Sequence, residues 1–231
     1  VNKVMRVKVN EVFSLFNNMD MVNAYKTILK KQVQPKKLLE QPKSSSALIF
    51  YWGITQVFEE IDMHNIFFSE DYKKEFECIF KKGTIYKDPT VYINCTAVSK
   101  PDDAPSGCMN WFTMINVPNN QGQDWDQLIA QARKDILSKL SRLLHADIEK
   151  LIEFEEVLDP RSIEFKTSSA QGALYGNSSN TRFAAFLRHP NVSSQLKNLY
   201  FCGGSVHPGG GIPLALLSAK IMSEEIPELK K

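Results

Sequence analysis

The chain has 231 residues, of which 43% are hydrophobic and 23% charged, values typical of a folded globular protein that exclude global disorder. Its 28 Lys and Arg residues against 26 Asp and Glu residues leave a net charge of +2, which argues against a dedicated nucleic-acid binder. No run of about 18 apolar residues occurs, so no transmembrane helix is predicted. Because the chain begins with Val1, we expect a piece of a longer protein.

The cysteine and histidine residues lack metal-binding spacings. The 4 cysteines form no Cys-x-x-Cys pair and the 4 histidines form no His-x-x-x-His pair, so no metal site is predicted. Scattered cysteines in a chain of this length are typical of reduced, buried thiols in a cytosolic protein.

The N-terminal part alternates short apolar segments with turns. Residues 4–9 predict a short strand, residues 13–16 form a second apolar segment, and residues 21–29 predict a short helix. Residues 30–43 are basic and contain two prolines, which indicates a surface connection. Contact of this basic segment with anionic lipid headgroups is the alternative to a plain solvated loop.

The middle of the chain contains most of the predicted regular structure. Residues 46–54 are almost continuously apolar and β-rich, which predicts a strand buried on both faces. Further strands are predicted at 65–68, 90–98, 111–117 and 148–157.

Two helices accompany these strands. Residues 125–144 carry Leu, Ile and Ala at intervals of three and four, which predicts a helix with a core-facing stripe. Ser69 is predicted to cap a shorter helix whose apolar side carries Tyr72, Phe76, Ile79 and Phe80. Mixed strands and helices predict an α/β or α+β fold.

A glycine-rich loop carries the clearest chemical signal. Five of the 11 glycines lie within residues 203–211, between a strand predicted at 198–202 and a helix predicted at 214–226. Glycine lets backbone amides approach a ligand, Pro213 suits the first helical turn, and a helix N-terminus favours negative charge. The spacing is neither Gly-x-Gly-x-x-Gly nor a P-loop. A site for an anionic or electron-rich ligand and a tight turn without a ligand are both consistent with it.

Several segments together resemble flavin-dependent carotenoid desaturases of the phytoene desaturase family. NLYFCGGSVHPGGGIPLALLSAKI at 198–221 is similar to the C-terminal signature of that family. SSSALIFYWGI at 44–54, DAPSGCMNWFTMINVPN at 103–119 and the passage at 170–188 resemble further family segments. Asn17, Asp20 and Val22 resemble an Asn-x-Asp turn after a flavin-domain strand. The form Gly-Gly-Ser-Val-His-Pro-Gly favours the 1-hydroxycarotenoid 3,4-desaturase branch.

The resemblance implies an α/β (α+β) fold, the C-terminal part of a two-domain FAD-binding oxidoreductase of the amine-oxidase type. A substrate domain with a mixed sheet would be combined with closing segments of the flavin domain. The implied parts are 1–20, a returning strand of the FAD domain; 21–163, the substrate domain; and 164–231, the C-terminal FAD-binding segment.

The resemblance also implies an FAD site. Its members are Gly203, Gly204, Ser205, His207, Pro208, Gly209, Gly210, Gly211, Ile212, Pro213 and Leu214. The start of the helix at 214–226 would face the pyrimidine end of the flavin, and a branched side chain at Gly210 would occupy the flavin's space. Ser205 stands where many related flavoproteins have an acidic residue that binds a ribityl hydroxyl.

The catalytic residues stay open. His207 is a candidate general base, with a ring hydrogen-bonded to backbone as the alternative. Arg188 would pair either with a flavin phosphate or with a surface carboxylate.

The implied activity is desaturation of an acyclic carotenoid, with a hydride transferred to FAD and a proton lost from the adjacent carbon. Oxygen or a membrane quinone would accept the electrons, and the protein would be cytoplasmic, peripheral on the cytoplasmic membrane face. The apolar polyene would occupy a tunnel for which the strand aromatics Phe50, Tyr51, Trp52, Trp111 and Phe112 are candidates, with plain core packing as the alternative. Alternative functions are carotenoid isomerase, retinol saturase or amine oxidase of the same superfamily, or a non-catalytic lipid-binding module.

Overall fold

A computed structural model describes residues 5–9, 12–16, 20–28, 36–178, 188–194 and 199–226. The chain divides by packing into two compact units. The central unit is Ser45–Pro160, and the flanking unit combines Val1–Ser44 with Arg161–Lys231. The predicted combination of helices and strands is confirmed, whereas the assignment of 1–20, 21–163 and 164–231 to flavin and substrate domains stays a prediction.

The strands form one hairpin and one larger sheet. In chain order they are β1 (Met5–Val9), β2 (Val12–Phe16), β3 (Ser46–Ile54), β4 (His64–Phe67), β5 (Val91–Asn94), β6 (Met109–Val117) and β7 (Ile152–Leu158). β1 pairs with β2, and the central unit contains the order β4-β5-β6-β3-β7. All of these pairings are antiparallel, so the predicted mixed sheet is wrong: the connections return each strand against the direction of its neighbour.

Seven α-helices lie in the part of the chain that the structure describes. They are α1 (Met21–Asn23), α2 (Lys36–Leu39), α3 (Tyr72–Glu77), α4 (Trp125–Leu143), α5 (Ile148–Leu151), α6 (Pro160–Thr167) and α7 (Ile212–Glu225). α1 continues as a π-helical turn over Ala24–Ile28 and α3 over Cys78–Lys82. Within the same described residues, no helix is long and apolar enough to cross a membrane, and no three His, Cys, Asp or Glu side chains are grouped as a metal site.

The core of the central unit forms where α4 covers one face of the sheet. Ala132, Ile136 and Leu140 are buried there with the inward side chains of β3 and β6. Asp124 caps α4, because its Oδ1 accepts a hydrogen bond from Gln127 N at 3.1 Å. The predicted strand 46–54 and the predicted helix 125–144 are therefore confirmed.

Local predictions are wrong where a short element interrupts a longer pattern. The single strand predicted at 148–157 begins instead with the helical turn α5. Asp71 rather than Ser69 caps α3, since Asp71 Oδ1 accepts from Lys74 N at 3.0 Å while Ser69 Oγ accepts from Asp71 N. The strand predicted at 198–202 is reduced to an isolated bridge between Val192 and Tyr200, and residue 198 lies outside the described residues.

The flanking unit has its own small core beneath the glycine-rich loop. Met21, Val22 and Tyr25 pack there with Leu199, Phe201 and Val206. Lys43 is buried beside this core, and its Nζ donates to Leu39 O, Gln41 O and Asn177 Oδ1 at 2.9, 2.7 and 2.8 Å. Lys43 is therefore not part of a basic surface, and residues 30–35 of the predicted basic segment lie outside the described residues.

Candidate functional site

The glycine-rich loop leads from the flanking core into α7 and is held by three backbone contacts. Gly203 N donates to Ser218 Oγ at 3.1 Å, and Gly204 O accepts from Arg188 Nη1 at 3.0 Å. His207 N donates to His189 O at 2.9 Å. A Cβ at Gly203, where φ is 119°, would meet no atom within 4 Å, so bare backbone faces open space at this position.

A cavity of about 270 Å³ lies against the first part of this loop, within the flanking unit. Its size is slightly below the usual range for ligand pockets, so it is too small for a whole dinucleotide. The loop is thus not a closed turn. The lining residues are Asp20, Ile163, Thr167, Ser169, Ala173, Leu174, Gly176, Cys202, Gly203, Gly204 and Ser205.

The structure brings together only the first three predicted site residues at this cavity. Gly203, Gly204 and Ser205 line it, whereas His207, Pro208, Gly209, Gly210, Gly211, Ile212, Pro213 and Leu214 do not. These eight residues form the following bend and the start of α7, with Gly211 as the N-cap. FAD binding by each of the eleven residues stays a prediction.

Protein side chains cover Gly209 and Gly210 in the second half of the loop, whereas a Cβ at Gly211 would meet no atom within 4 Å. A Cβ at Gly210 would lie 2.2 Å from Cδ1 of Tyr175, and one at Gly209 would lie 3.3 Å from Nε of Arg188. The space expected for flavin at Gly210 is therefore filled by the Tyr175 ring. Arg188 Nη1 donates to Tyr175 O and Gly204 O, both at 3.0 Å, so this guanidinium ties the two segments together.

The first turn of α7 is exposed in the flanking unit. Ile212 is 79% exposed, and Leu214, Leu216 and Leu217 are also exposed. Pro213 lies in the first turn as predicted, where its missing N–H leaves no hydrogen bond unmade. The predicted helix 214–226 is confirmed with bounds Ile212–Glu225.

The two histidines of this region have opposite environments. His207, the predicted candidate base, has an exposed side chain and lines neither cavity described here. His189 is buried, with Nε2 at 3.0 Å from Tyr25 Oη and Nδ1 at 2.6 Å from Pro190 O. Because a carbonyl only accepts, Nδ1–H donates and Nε2 accepts from the tyrosine. Burial lowers the pKa of His189, which keeps its imidazole neutral.

One buried amide holds the loop in place. Asn191 Nδ2 donates to Phe201 O and His207 O, both at 3.0 Å, and to Ser218 Oγ at 2.8 Å. The same Ser218 Oγ accepts from Gly203 N, so Asn191 and Ser218 link the two ends of the loop to α7. Sequence reasoning missed both residues, because neither belongs to the glycine signal.

Asp20 adds a carboxyl group to the cavity wall. Its Oδ1 caps α1 by accepting from Asn23 N at 3.1 Å, and Ser205 Oγ accepts from the neighbouring Met21 N at 3.1 Å. Burial raises the pKa of Asp20, while backbone N–H groups and the charge of Lys43 act in the opposite direction. The resemblance drew attention to Asp20 as a turn residue, but not as a neighbour of the glycine loop.

A second cavity, of about 490 Å³, lies in the central unit. Four of the five predicted tunnel aromatics line it: Tyr51, Trp52, Trp111 and Phe112. Tyr51 and Phe112 point to one face of the sheet and stack edge to face, with ring centroids 5.5 Å apart. Trp52 and Trp111 are also buried in the core, whereas Phe50 is a core residue that does not line the cavity.

The aromatic contacts continue across this sheet face. Phe112 contacts Tyr92 at 6.3 Å between ring centroids, and Tyr92 stacks on His64 at 6.1 Å. Tyr51, Phe112, Tyr92 and His64 belong to the adjacent strands β3, β6, β5 and β4. We call these four residues the aromatic row. With strands about 4.8 Å apart, the row extends over about 14 Å.

The chain is similar to known carotenoid enzymes. It is 58% identical over 91% of its length to a 1-hydroxycarotenoid 3,4-desaturase of Flavobacterium sp. (strain P99-3), of which it covers 43%. It is 30% identical over 92% of its length to a phytoene desaturase of Fusarium fujikuroi, of which it covers 41%. It is 31% identical over 91% of its length to a 4,4'-diapolycopene oxygenase of Methylomonas sp, of which it covers 43%.

The chain thus spans about two fifths of the length of these relatives. No family model matches it.

Proposed function

Because the chain belongs to the carotenoid desaturase family, we propose that the protein containing it desaturates an acyclic carotenoid with FAD as cofactor. The observation that carries this proposal is its 58% identity to a 1-hydroxycarotenoid 3,4-desaturase, against 31% to a carotenoid oxygenase. In the proposed reaction, a hydride and a proton leave adjacent carbons of the polyene. FAD, when bound, supplies the hydride acceptor, and oxygen or a membrane quinone takes up the electrons.

The glycine-loop cavity fits a part of FAD. Gly203 and Gly204 present backbone without side chains, which lets a cofactor approach closely. Ser205 and Asp20 add polar groups to the same wall. The Asn191–Ser218 contacts fix the loop before any ligand arrives, which reduces the entropy lost on binding. In this proposal the flanking unit is part of a two-domain flavin-binding fold.

The central-unit cavity fits an apolar polyene. Its walls combine Tyr51, Phe112, Met109 and Phe154, and the aromatic row provides flat contact surfaces on neighbouring strands. A conjugated chain is flat and has few groups that form hydrogen bonds, so aromatic contact area supplies most of its binding energy. We assign the substrate to this cavity as part of the same proposal.

We further propose that the protein binds peripherally to the cytoplasmic face of the membrane, where a polyene dissolves. α3 and its π-helical turn support this contact, since Tyr72, Phe76 and Phe80 are exposed and their rings follow one another at 4.6 and 5.6 Å. We call these three residues the α3 aromatic patch. The exposed Lys73, Lys74, Lys81 and Lys82 adjoin it in sequence, and this combination is typical of helices that lie on anionic bilayers.

Product mass tests the activity. The protein encoded by the intact gene is supplied with acyclic carotenoids that either carry or lack a 1-hydroxyl group. The products are separated and their molecular masses are determined by mass spectrometry. Desaturation removes two hydrogens from the substrate, whereas an oxygenase adds oxygen, a saturase adds two hydrogens and an isomerase leaves the mass unchanged. Any of these other outcomes with purified, FAD-loaded protein would refute desaturation.

Vesicle binding tests the membrane contact. Replacement of the α3 aromatic patch by Ser is expected to lower binding to anionic phospholipid vesicles by about tenfold or more, because three rings no longer enter the interface. Phe165→Ser is the matched control, since Phe165 is 86% exposed and lies in the flanking unit. Equal loss of binding in both variants would show that general hydrophobicity, rather than this patch, determines the contact.

A further inference from the structure

Two polar atoms in the wall of the glycine-loop cavity have no hydrogen-bond partner. Asp20 Oδ2 and Ser169 Oγ are buried and unpartnered among the described residues, and both residues line the cavity. Buried polar groups in native proteins are almost always hydrogen-bonded, so such atoms need an explanation. The two other such side-chain atoms in the described ranges, Trp111 Nε1 and Thr113 Oγ1, belong to the central unit.

The backbone places these two atoms on neighbouring segments. Asp20 N donates to Ser168 O at 3.3 Å, so Asp20 lies next to Ser169 although the two are far apart in sequence. Asp20 is only 8% exposed, and the helix cap from its Oδ1 to Asn23 N keeps the carboxyl group in the wall.

The two atoms select a particular kind of ligand group. A carboxylate oxygen only accepts hydrogen bonds, whereas a serine hydroxyl both donates and accepts. An alcohol satisfies both at once, since its O–H donates to Asp20 and its oxygen accepts from Ser169. A phosphate is disfavoured here, because its negative charge would lie against a buried carboxyl group.

We propose that Asp20 and Ser169 together bind a sugar hydroxyl of FAD. The pair supplies the carboxyl contact that the loop lacks at Ser205, a residue that lines the same cavity and accepts a hydrogen bond from Met21 N beside Asp20. This inference rests on the proposed FAD dependence and goes beyond it by naming the contact. Ribityl and ribose hydroxyls share the required chemistry, and the ligand series below separates them.

Ser169→Ala is the most direct test, in the protein expressed from its intact gene. Loss of one hydrogen bond is expected to raise the Kd for FAD by about tenfold, measured by flavin fluorescence during titration of the apoprotein. The Tm of the apoprotein stays equal or rises, because Ser169 Oγ has no protein partner to lose. Ser223→Ala, an exposed site on α7, is the matched control and changes neither value.

Asp20→Asn is the second variant, because asparagine is an equally good helix cap and preserves the fold. It removes the charge that strengthens the hydrogen bond, and we expect the Kd for FAD to rise about tenfold. FAD analogues that lack a ribityl hydroxyl or a ribose hydroxyl complete the test. The analogue without the contacted hydroxyl binds equally to wild type and to Ser169→Ala, which identifies the sugar.

Two results would overturn the inference. Unchanged FAD affinity in both variants would mean that the two atoms serve a bound water or nothing. An equal loss for FAD and for every deoxy analogue would mean that the variants act through the fold. Failure of wild-type protein to bind FAD at all is a separate result, since it refutes the proposed cofactor and this contact with it.

Discussion

Gly210→Ala tests whether the second half of the loop is packed by protein rather than by a ligand. The added Cβ would lie 2.2 Å from Cδ1 and 3.0 Å from Cγ of Tyr175, which is too close for any real contact. Gly210 lies outside the left-handed region of backbone conformation, so this overlap is the main cost of the substitution. Hydrogen bonds from Tyr175 N to Ser44 Oγ and from Arg188 to Tyr175 O hold the backbone, and the ring must therefore rotate away.

The cost follows from the area that the ring loses. Tyr175 is 47% exposed, so it buries roughly half of the 150–250 Å² that an aromatic side chain covers, or about 100 Å². At about 25 cal/mol per Å², complete loss of this contact is worth about 2.5 kcal/mol. Part of the contact re-forms after rotation, and we expect Gly210→Ala to lower the free energy of unfolding by about 1–2 kcal/mol.

A double-mutant cycle isolates the contact. In the Tyr175→Ala background the ring is absent, and Gly210→Ala is expected to be neutral or slightly stabilising, because alanine restricts the unfolded chain. The free energies are measured by urea denaturation followed by circular dichroism. An equal penalty in both backgrounds would refute the reasoning, because the cost would then come from the backbone or from another neighbour.

Three further predictions concern the loop, its buried histidine and the aromatic row. Asn191→Ala should lower the free energy of unfolding by about 3 kcal/mol, seen in urea denaturation, since it leaves the carbonyls of Phe201 and His207 without this donor and removes one of the two donors to Ser218 Oγ. Below pH 6.5 the histidine at position 189 binds a proton in the unfolded chain, whereas the folded protein, in which the pKa of His189 is lowered, does not bind it. The urea midpoint of the wild type should therefore decrease as the pH is lowered, and that of His189→Gln should not. Phe112→Ala should raise KM for the carotenoid with little change in Tm, whereas Phe50→Ala should cost about 3–5 kcal/mol in unfolding free energy.

Elements with a long local pattern were predictable. The strand at Ser46–Ile54 and the helix at Trp125–Leu143 each bury a face that repeats over many residues, and their periodicity alone identifies them. Short elements such as α5 and α6 were not predictable in this way, because four to eight residues contain too few repeats to separate a helical turn from a strand.

Apolar periodicity in the sequence identifies one side of a helix but does not show whether another element covers that side. Tyr72, Phe76 and Phe80 share one side of α3 as predicted, yet they are exposed in the central unit. Strand alternation puts Phe50 and Tyr51 on opposite faces, yet it does not decide which residues line the cavity, because the adjacent Tyr51 and Trp52 both line it.

The loop contacts were outside the reach of local reasoning. Met21 N and Ser205 Oγ meet although they are separated by 184 residues, and nothing in either segment indicates the other. Asn191 carries no local signal for its role, and the structure buries its amide as a donor to the loop carbonyls. Such contacts depend on tertiary packing, so composition and spacing do not predict them.

The first part of the glycine-rich loop lines a cavity and a later part packs against Tyr175, and this difference determines which variants report on ligand binding. Gly203 faces the cavity but has a φ of 119°, so any side chain there strains the backbone and alters the cavity at once. Gly210 is packed against Tyr175 and reports on the fold. Ser169 lines the cavity, has an ordinary side chain and lacks a protein partner for its hydroxyl. A change in FAD affinity after Ser169→Ala therefore reports on the ligand itself, which no glycine variant of this loop does.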